Sequence, residues 1–307
     1  MSLSSLLKQL AVAALACTTV MAHASYVGMQ GVTGPIFVIV MENSNWSSIK
    51  GSSKAPYINS LLTNAQASYA TQYYNPPGNH PSEPNYLWME GGTNFGITND
   101  NDPTVTANQI WNKDHLVKQL GVAGISWKTY QENITGASCP LSSSGNYAAK
   151  HNPFLYFNDV TDGFVTTSPT CIAHVRPFGE LTSDLAHDTV ARYNFITPNL
   201  CDDMHNSCSP TNNGIKQGDN WLKTVVPMIM GSAAYQNHGA LIITWDEGSG
   251  SDGPIGFIVL SPEAKGGGYS NSTHYTHGSF LRSMETIFGL PLLNDASAQV
   301  DLSDLFQ

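Results

Sequence analysis

The chain is 307 residues long and carries 13 Lys and Arg against 23 Asp and Glu, a formal net charge of −10. That length can bury a large core as a single domain. The acidic balance argues against nucleic acid as a partner, since phosphate backbones are gripped by clustered Lys and Arg, and it leaves carboxylates free to gather round a metal.

Lys8, the apolar run Leu10 to Cys17 and the small-x-small triplet Ala22-His23-Ala24 read as a secretory leader. Residues 1–24 are therefore set apart, and 25–307 are expected to form one domain. Ala14-Leu15-Ala16-Cys17 loosely matches a lipoprotein processing site, but Ala14 is a weak residue at its first position. Cleavage leaves Cys139, Cys171, Cys201 and Cys208. An even number in an exported chain predicts two disulfides, and proximity favours Cys139–Cys171 with Cys201–Cys208, although three pairings are possible. The absence of a Cys-x-x-Cys pair counts against a Cys-His metal site. Beyond the leader no apolar run approaches the roughly 20 residues of a membrane helix, so the product is expected to be secreted or periplasmic with no transmembrane segment.

Pro35 to Met41 is an unbroken apolar run, the pattern of a strand buried on both faces, and it ends abruptly in Glu42-Asn43. Polar residues at the exit of such a strand stand where open α/β sheets hold their ligands. Pro56 to Tyr69 carries a helical stripe of Tyr57, Ile58, Leu61, Leu62 and Ala65. Next comes Gly78-Asn79-His80-Pro81-Ser82-Glu83-Pro84-Asn85-Tyr86. Pro84 suits the first turn of a helix, whose free N–H groups would face an anion, with Ser82 as nucleophile. A plain N-cap role for Ser82 is the alternative. Tyr86 to Met89 is expected to pack this helix inward until Gly91-Gly92 stops it.

Residues 96–106 read as a solvated loop in which Asp100 and Asp102 could reach a cation. Asn108 to Leu120 is predicted as an amphipathic helix and Ile125 to Tyr130 as a strand. Residues 131–178 are irregular, and their His151 and His174 read as surface or packing residues. A helix over Phe178 to Ala191 and a strand over Arg192 to Thr197 lead to Asp202-Asp203-Met204-His205. A helix over Asp219 to Tyr235 precedes the interior strand Ala240 to Trp245, which ends in Asp246-Glu247. A last strand over Gly256 to Pro262 is followed by His274-Tyr275-Thr276-His277 at the head of a helix through Phe288. Alternating strands and helices predict a three-layer α/β sandwich with a mostly parallel central sheet. In such a sheet strand exits share one edge, so Glu42-Asn43, Ser82 with Asn85, Asp203 with His205, and Asp246-Glu247 can converge.

Read together, Val38-Ile39-Val40-Met41-Glu42-Asn43, His80-Pro81-Ser82-Glu83-Pro84-Asn85-Tyr86-Leu87, Thr197 to His205, Ile243-Thr244-Trp245-Asp246-Glu247-Gly248 and Tyr275-Thr276-His277-Gly278-Ser279 resemble a known set of motifs. The resemblance is to the phosphoesterase family that contains bacterial and fungal acid phosphatases and metal-dependent phospholipases C, within the alkaline-phosphatase superfamily. It implies that Glu42, Asn43, Asp246 and Glu247 surround a divalent cation, that Ser82 completes its shell as nucleophile, and that Asn85 holds a phosphate oxygen beside His80. It places Asp203, His205 and His277 opposite, as ligands of a second metal or as proton donors. His277 is preferred over His274, and Asp203 is set against Asp202. Zinc suits carboxylate and imidazole ligands in an exported enzyme. The expected substrate is a small phosphate ester or a phospholipid. The rival readings are a non-catalytic secreted metal-binding protein and a serine carboxyl-ester hydrolase; the latter lacks a Gly-x-Ser-x-Gly elbow.

Overall fold

A computed structural model describes residues 27–250 and 252–307; the predicted leader and Cys17 lie outside them. One nine-stranded sheet organises the chain. Its strands are β1 (Ile36–Met41), β2 (Ala67–Tyr74), β3 (Trp127–Gln131), β4 (Val175–Pro177), β5 (Tyr193–Thr197), β6 (Ala240–Trp245), β7 (Ile255–Leu260), β8 (Tyr269–Asn271) and β9 (Tyr275–Thr276). They run in the order β4-β3-β5-β1-β6-β7-β2-β8, with β9 also paired to β2. β7 is antiparallel to both its neighbours, so β2, β8 and β9 point the same way as β1, β5 and β6.

β1, β6 and β7 are buried at every position, as their apolar runs require. Helices cover both faces in two groups. Ser82–Gly91 packs with Leu116–Val122 and His277–Phe288, while Pro56–Leu61 packs with Gly214–Met230. Asn213 caps Gly214–Met230 by accepting from the Lys216 N–H at 2.9 Å. Gly92, at φ 66°, ends Ser82–Gly91 in the left-handed conformation that glycine tolerates best. In β7, Gly256 leaves room for Trp245, whose ring would stand 2.3 Å from a Cβ at that position. Both expected disulfides, Cys139–Cys171 and Cys201–Cys208, are present.

Several expected elements are corrected. The stripe from Pro56 is helical only to Leu61, and Ala67–Tyr74 is a strand. An Asx turn, Asn64 Oδ1 accepting from the Gln66 N–H at 2.8 Å, separates them, and the aromatic residues beyond suit a sheet. The helix expected from Asn108 starts only at Leu116, because Ile110 is drawn into backbone pairing with Tyr156 and Asn112 takes φ 55°. Trp88 is only partly buried and donates its indole N–H to Asp295 at 3.1 Å. Asp100 and Asp102 hold Glu83, Lys150 and Ser143 by hydrogen bonds.

Glu285, on the His277–Phe288 helix, yields a stability prediction. Burial pushes its carboxyl up to about 8; one oxygen accepts from the Leu293 N–H at 2.8 Å while the other has no partner. The folded state therefore holds this proton more tightly than the unfolded chain does. The contribution is complete below the unfolded value near pH 4 and is lost as pH rises to about 8. Glu285→Gln should gain thermal stability relative to wild type across that window, by at most on the order of 5 kcal/mol, and then level off. A pH-independent difference in melting temperature would refute this.

Candidate active site

The register between β1 and β6 pairs Met41 with Trp245, so the next residues, Glu42 and Asp246, leave the sheet side by side. The Asp246 N–H donates to the Met41 carbonyl at 3.0 Å, and the Glu42 N–H donates to the Asp203 carbonyl at 2.8 Å. Three carboxylates from three strand exits are thus fixed by backbone bonds at one edge. Glu42, Asp203 and Asp246 are fully buried.

Ser82 comes to this edge from the exit of β2. It is the first residue of its helix, with Pro81 at the N-cap, and its hydroxyl donates to Glu42 Oε2 at 3.1 Å. One turn later the Tyr86 hydroxyl donates to Glu42 Oε1 at 2.7 Å, so a single helical face presents both groups to one carboxylate. The helix end offers fewer free donors than its sequence suggests, because the Glu83 N–H is taken by Asp100 and Pro84 has none. Asn85 donates to the carbonyls of Asn79 (2.9 Å) and Pro81 (3.2 Å) and to Glu247 Oε2 at 3.2 Å.

Asn43, at φ 25°, turns sharply out of β1. Its N–H donates to Asp246 Oδ1 at 3.1 Å and its side-chain amide to Glu247 Oε1 at 2.7 Å. His80 bridges Glu247 and Asp252, reaching Asp252 at 2.6 Å. With Asn43, Glu247 and Gly248 it lines a cavity of about 530 Å³ that opens the site to solvent. His80 thus stands at the mouth, held by carboxylates.

The remaining histidines differ from expectation. His277 is fully buried; its Nε2 donates to the Asp246 carbonyl at 2.5 Å, which leaves Nδ1 to accept from the Tyr73 hydroxyl at 3.0 Å. Both ring nitrogens are engaged, Nε2 with the Asp246 carbonyl and Nδ1 with Tyr73, an arrangement that fixes the end of β6 and leaves no free ring proton to donate. His205 is exposed, and its N–H donates to Asp203 Oδ1 at 2.8 Å. Met204, at φ 87° between them, lets Asp203 point inward and His205 outward. Asp202 stays outside and accepts from the Asn199 amide, while His274 stacks on Tyr74.

His151, expected to be a surface or packing residue, is instead a buried member of the site. Its Nε2 lies 3.0 Å from Glu42 Oε1 and its Nδ1 lies 3.3 Å from Asp203 Oδ2, while its ring stacks on Tyr86. Nothing in its neighbours in sequence marks it, since it lies in an irregular segment without periodicity. Together Glu42, His151 and Asp203 bring one ligand atom each to within 4.8 Å of one another.

Burial raises the Glu42 carboxyl well above its usual range, and the charge of Asp203 raises it further. Asp246 is raised likewise by burial and then by Glu42 and Glu247. Burial pushes His277 down to about 4 and His151 well down, so both rings are neutral near pH 7. Four buried atoms here have no hydrogen-bond partner: Asn43 Oδ1, His151 Nε2, Asp203 Oδ2 and Asp246 Oδ2. Converging carboxylates beside unpartnered lone pairs are donors of the kind that could hold a divalent cation.

A family model described as the Phosphoesterase family matches residues 52–291. The chain belongs to this family. It is accordingly an enzyme that hydrolyses phosphoric esters. It is 30% identical over 276 residues to a phosphatidylinositol-3-phosphatase of Mycobacterium tuberculosis, covering 88% of this chain and 82% of the relative. It is also 30% identical over 224 residues to a phosphate-repressible acid phosphatase of Penicillium chrysogenum, covering 70% of this chain and 50% of that one. The chain spans about half the length of the fungal acid phosphatases it matches in Penicillium and Aspergillus. Among solved structures, a Vibrio parahaemolyticus protein of the alkaline phosphatase superfamily aligns with TM-score 0.55 at 9% identity, over 86% of this chain and 69% of its own. Murine ectonucleotide pyrophosphatase/phosphodiesterase 5 aligns with TM-score 0.57 at 10% identity, over 89% and 100%. These likenesses establish the expected fold, mixed α/β with a mostly parallel central sheet.

Proposed function

We propose that the chain is an exported, metal-dependent phosphomonoesterase that acts through a phosphoseryl intermediate on Ser82. The observation that carries this reading is the Ser82 hydroxyl, 3.1 Å from Glu42 inside a buried carboxylate cluster with unpartnered lone pairs. Names of relatives on both the mycobacterial and fungal sides, a phosphatidylinositol-3-phosphatase and acid phosphatases, support a monoester over a phospholipase C substrate. Two disulfides and the leader-like first 24 residues support export. Among the described residues no helix is long and apolar enough to cross a membrane.

Glu42, Asn43, Ser82, Asp246 and Glu247 would hold the cation, with Asp203 and His151 at the adjoining position; zinc fits such carboxylate and imidazole donors. When bound, it supplies a Lewis acid beside the phosphoryl group. Ser82 Oγ attacks phosphorus as the ester P–O bond breaks, and Glu42 Oε2, which already receives the hydroxyl hydrogen, is the nearest acceptor for its proton. Exposed His205 gives a proton to the departing alkoxide. In the second half His205 takes a proton from water as the new P–O bond forms, and the bond to Ser82 Oγ breaks to release phosphate while Glu42 returns its proton to that oxygen. The Asn85 N–H that faces Glu247 is assigned to a phosphoryl oxygen. His277 positions Asp246, and His80 guards the mouth.

The test compares 4-nitrophenyl phosphate with 4-nitrophenyl acetate before and after chelation. Phosphate-ester turnover should fall at least ~100-fold with chelator and return with zinc, the scale on which electrostatic groups of this kind act. A protein that binds metal without turnover at any concentration would be a binding protein. Acetate hydrolysis that survives chelator would instead indicate a serine carboxyl-ester hydrolase.

A further inference from the structure

We propose that the Lys150–Asp100 pair sets the preference of this site for a phosphomonoester dianion over a phosphodiester, with Lys150 supplying the charge and Asp100 limiting it. The inference rests on the phosphoesterase reading above and deepens it by naming the residues that select the substrate class.

The starting point is a charge deficit. Glu42, Asp203, Asp246 and Glu247 crowd one edge of the sheet, and the substrate adds further negative charge. A monoester near pH 8 carries one more negative charge than a diester, so positive charge beyond a divalent cation favours it selectively. Other lysines with a carboxylate partner are spent elsewhere, on Asp114, Asp184 and Asp304.

Lys150 is placed differently. Its side chain is 17% exposed and its Nζ donates to Asp100 Oδ2 at 2.7 Å. The other oxygen of Asp100 accepts the Glu83 N–H at 3.0 Å, so the ammonium is anchored to the backbone of the residue that follows Ser82. The same 3-10 turn, Ala149–His151, carries His151, whose ring lies 3.0 Å from Glu42, and it packs against the Ser82–Gly91 helix. Lys150 is thus the immediate neighbour of a residue in contact with Glu42, and its charge stands beside the crowded carboxylates. Asp100, bound to the backbone N–H of the residue after Ser82, brings a negative charge to the same place. The cation and its counter-ion therefore both act on the centre, with opposite signs.

Those opposite signs make the test specific. A residue that merely supports the fold would lower activity toward every substrate, whichever member of the pair is changed. A charge-setting pair should respond asymmetrically. Lys150→Met leaves Asp100 uncompensated, whereas Asp100→Asn keeps an oxygen for the Glu83 N–H and frees the charge of Lys150.

The experiment measures kcat/KM for 4-nitrophenyl phosphate and bis(4-nitrophenyl) phosphate at pH 8, with inorganic phosphate as inhibitor, in metal-loaded enzyme. For Lys150→Met the monoester-to-diester ratio should fall roughly 10- to 100-fold, the range for one unit charge several ångströms away at an effective dielectric near 20. Phosphate inhibition should weaken in step. Lys150→Arg should hold the ratio within about threefold, and Asp100→Asn should hold or raise it. A Lys150→Met ratio within threefold of wild type overturns the proposal, as does an Asp100→Asn ratio that falls by tenfold. If Lys150→Met does not fold, Lys150→Gln and Asp100→Asn apply the same criteria. A wild-type enzyme that hydrolyses neither phosphate ester would remove the parent reading, whereas an active one indifferent to Lys150 would remove only this inference.

Discussion

Replacing Ser82 with Ala should lower kcat/KM for a phosphomonoester by roughly 10⁴-fold or more, the scale on which loss of a covalent nucleophile is felt. Only one oxygen is removed, and the Tyr86 bond to Glu42 remains to hold the carboxylate in place. Metal content and melting temperature should therefore stay near those of wild type. Quenching wild-type enzyme during turnover and mapping its peptides should find phosphate on Ser82 and none in the variant. Retention of full activity by Ser82→Ala, or a phosphoryl group on a different residue, would overturn the nucleophile assignment.

Asp246→Asn should be nearly as damaging, by about 10³-fold, through loss of the cation and not of the nucleophile. Here a second readout moves the other way. In metal-free protein the Asp246 carboxylate is fully buried and faces the charges of Glu42 and Glu247, so an amide of the same shape removes repulsion. The variant should bind zinc far more weakly than wild type, yet melt at a higher temperature in chelator at pH 7. Undiminished zinc affinity would exclude Asp246 from the ligand set. A lower melting temperature without metal would show that repulsion is not what the carboxylate contributes to the empty fold. Stability given up at a reactive centre is the common exchange between activity and folding.

The frame of the molecule was readable because central strands of a parallel sheet leave little choice of residue. Ile36–Met41 and Ala240–Trp245 are buried on both faces, so every position is apolar, and the first polar residue after each run marks the sheet edge. That rule pointed to Glu42 and Asp246, which the register then sets side by side. β2 was hidden because its apolar residues continue a helical stripe from Tyr57 to Ala65, and the break between them is a single Asx turn at Asn64. β4, β8 and β9 are three residues or fewer, too short for any periodicity to register. His151 was missed for a different reason. It reaches Glu42 and Asp203 through contacts with residues distant in sequence, and neither its neighbours nor its spacing carries that information. That Asp203 faces inward while His205 faces out depends on one backbone angle, at Met204, which a non-glycine residue rarely adopts.

The contact between His277 and the Asp246 carbonyl ties the start of the final long helix to the end of β6. A growing polypeptide therefore cannot complete its reactive centre until His277 has been added and that helix has docked. A fragment that stops short of residue 277 would lack this tie, so the first turnover doubles as a signal that the helix is in place.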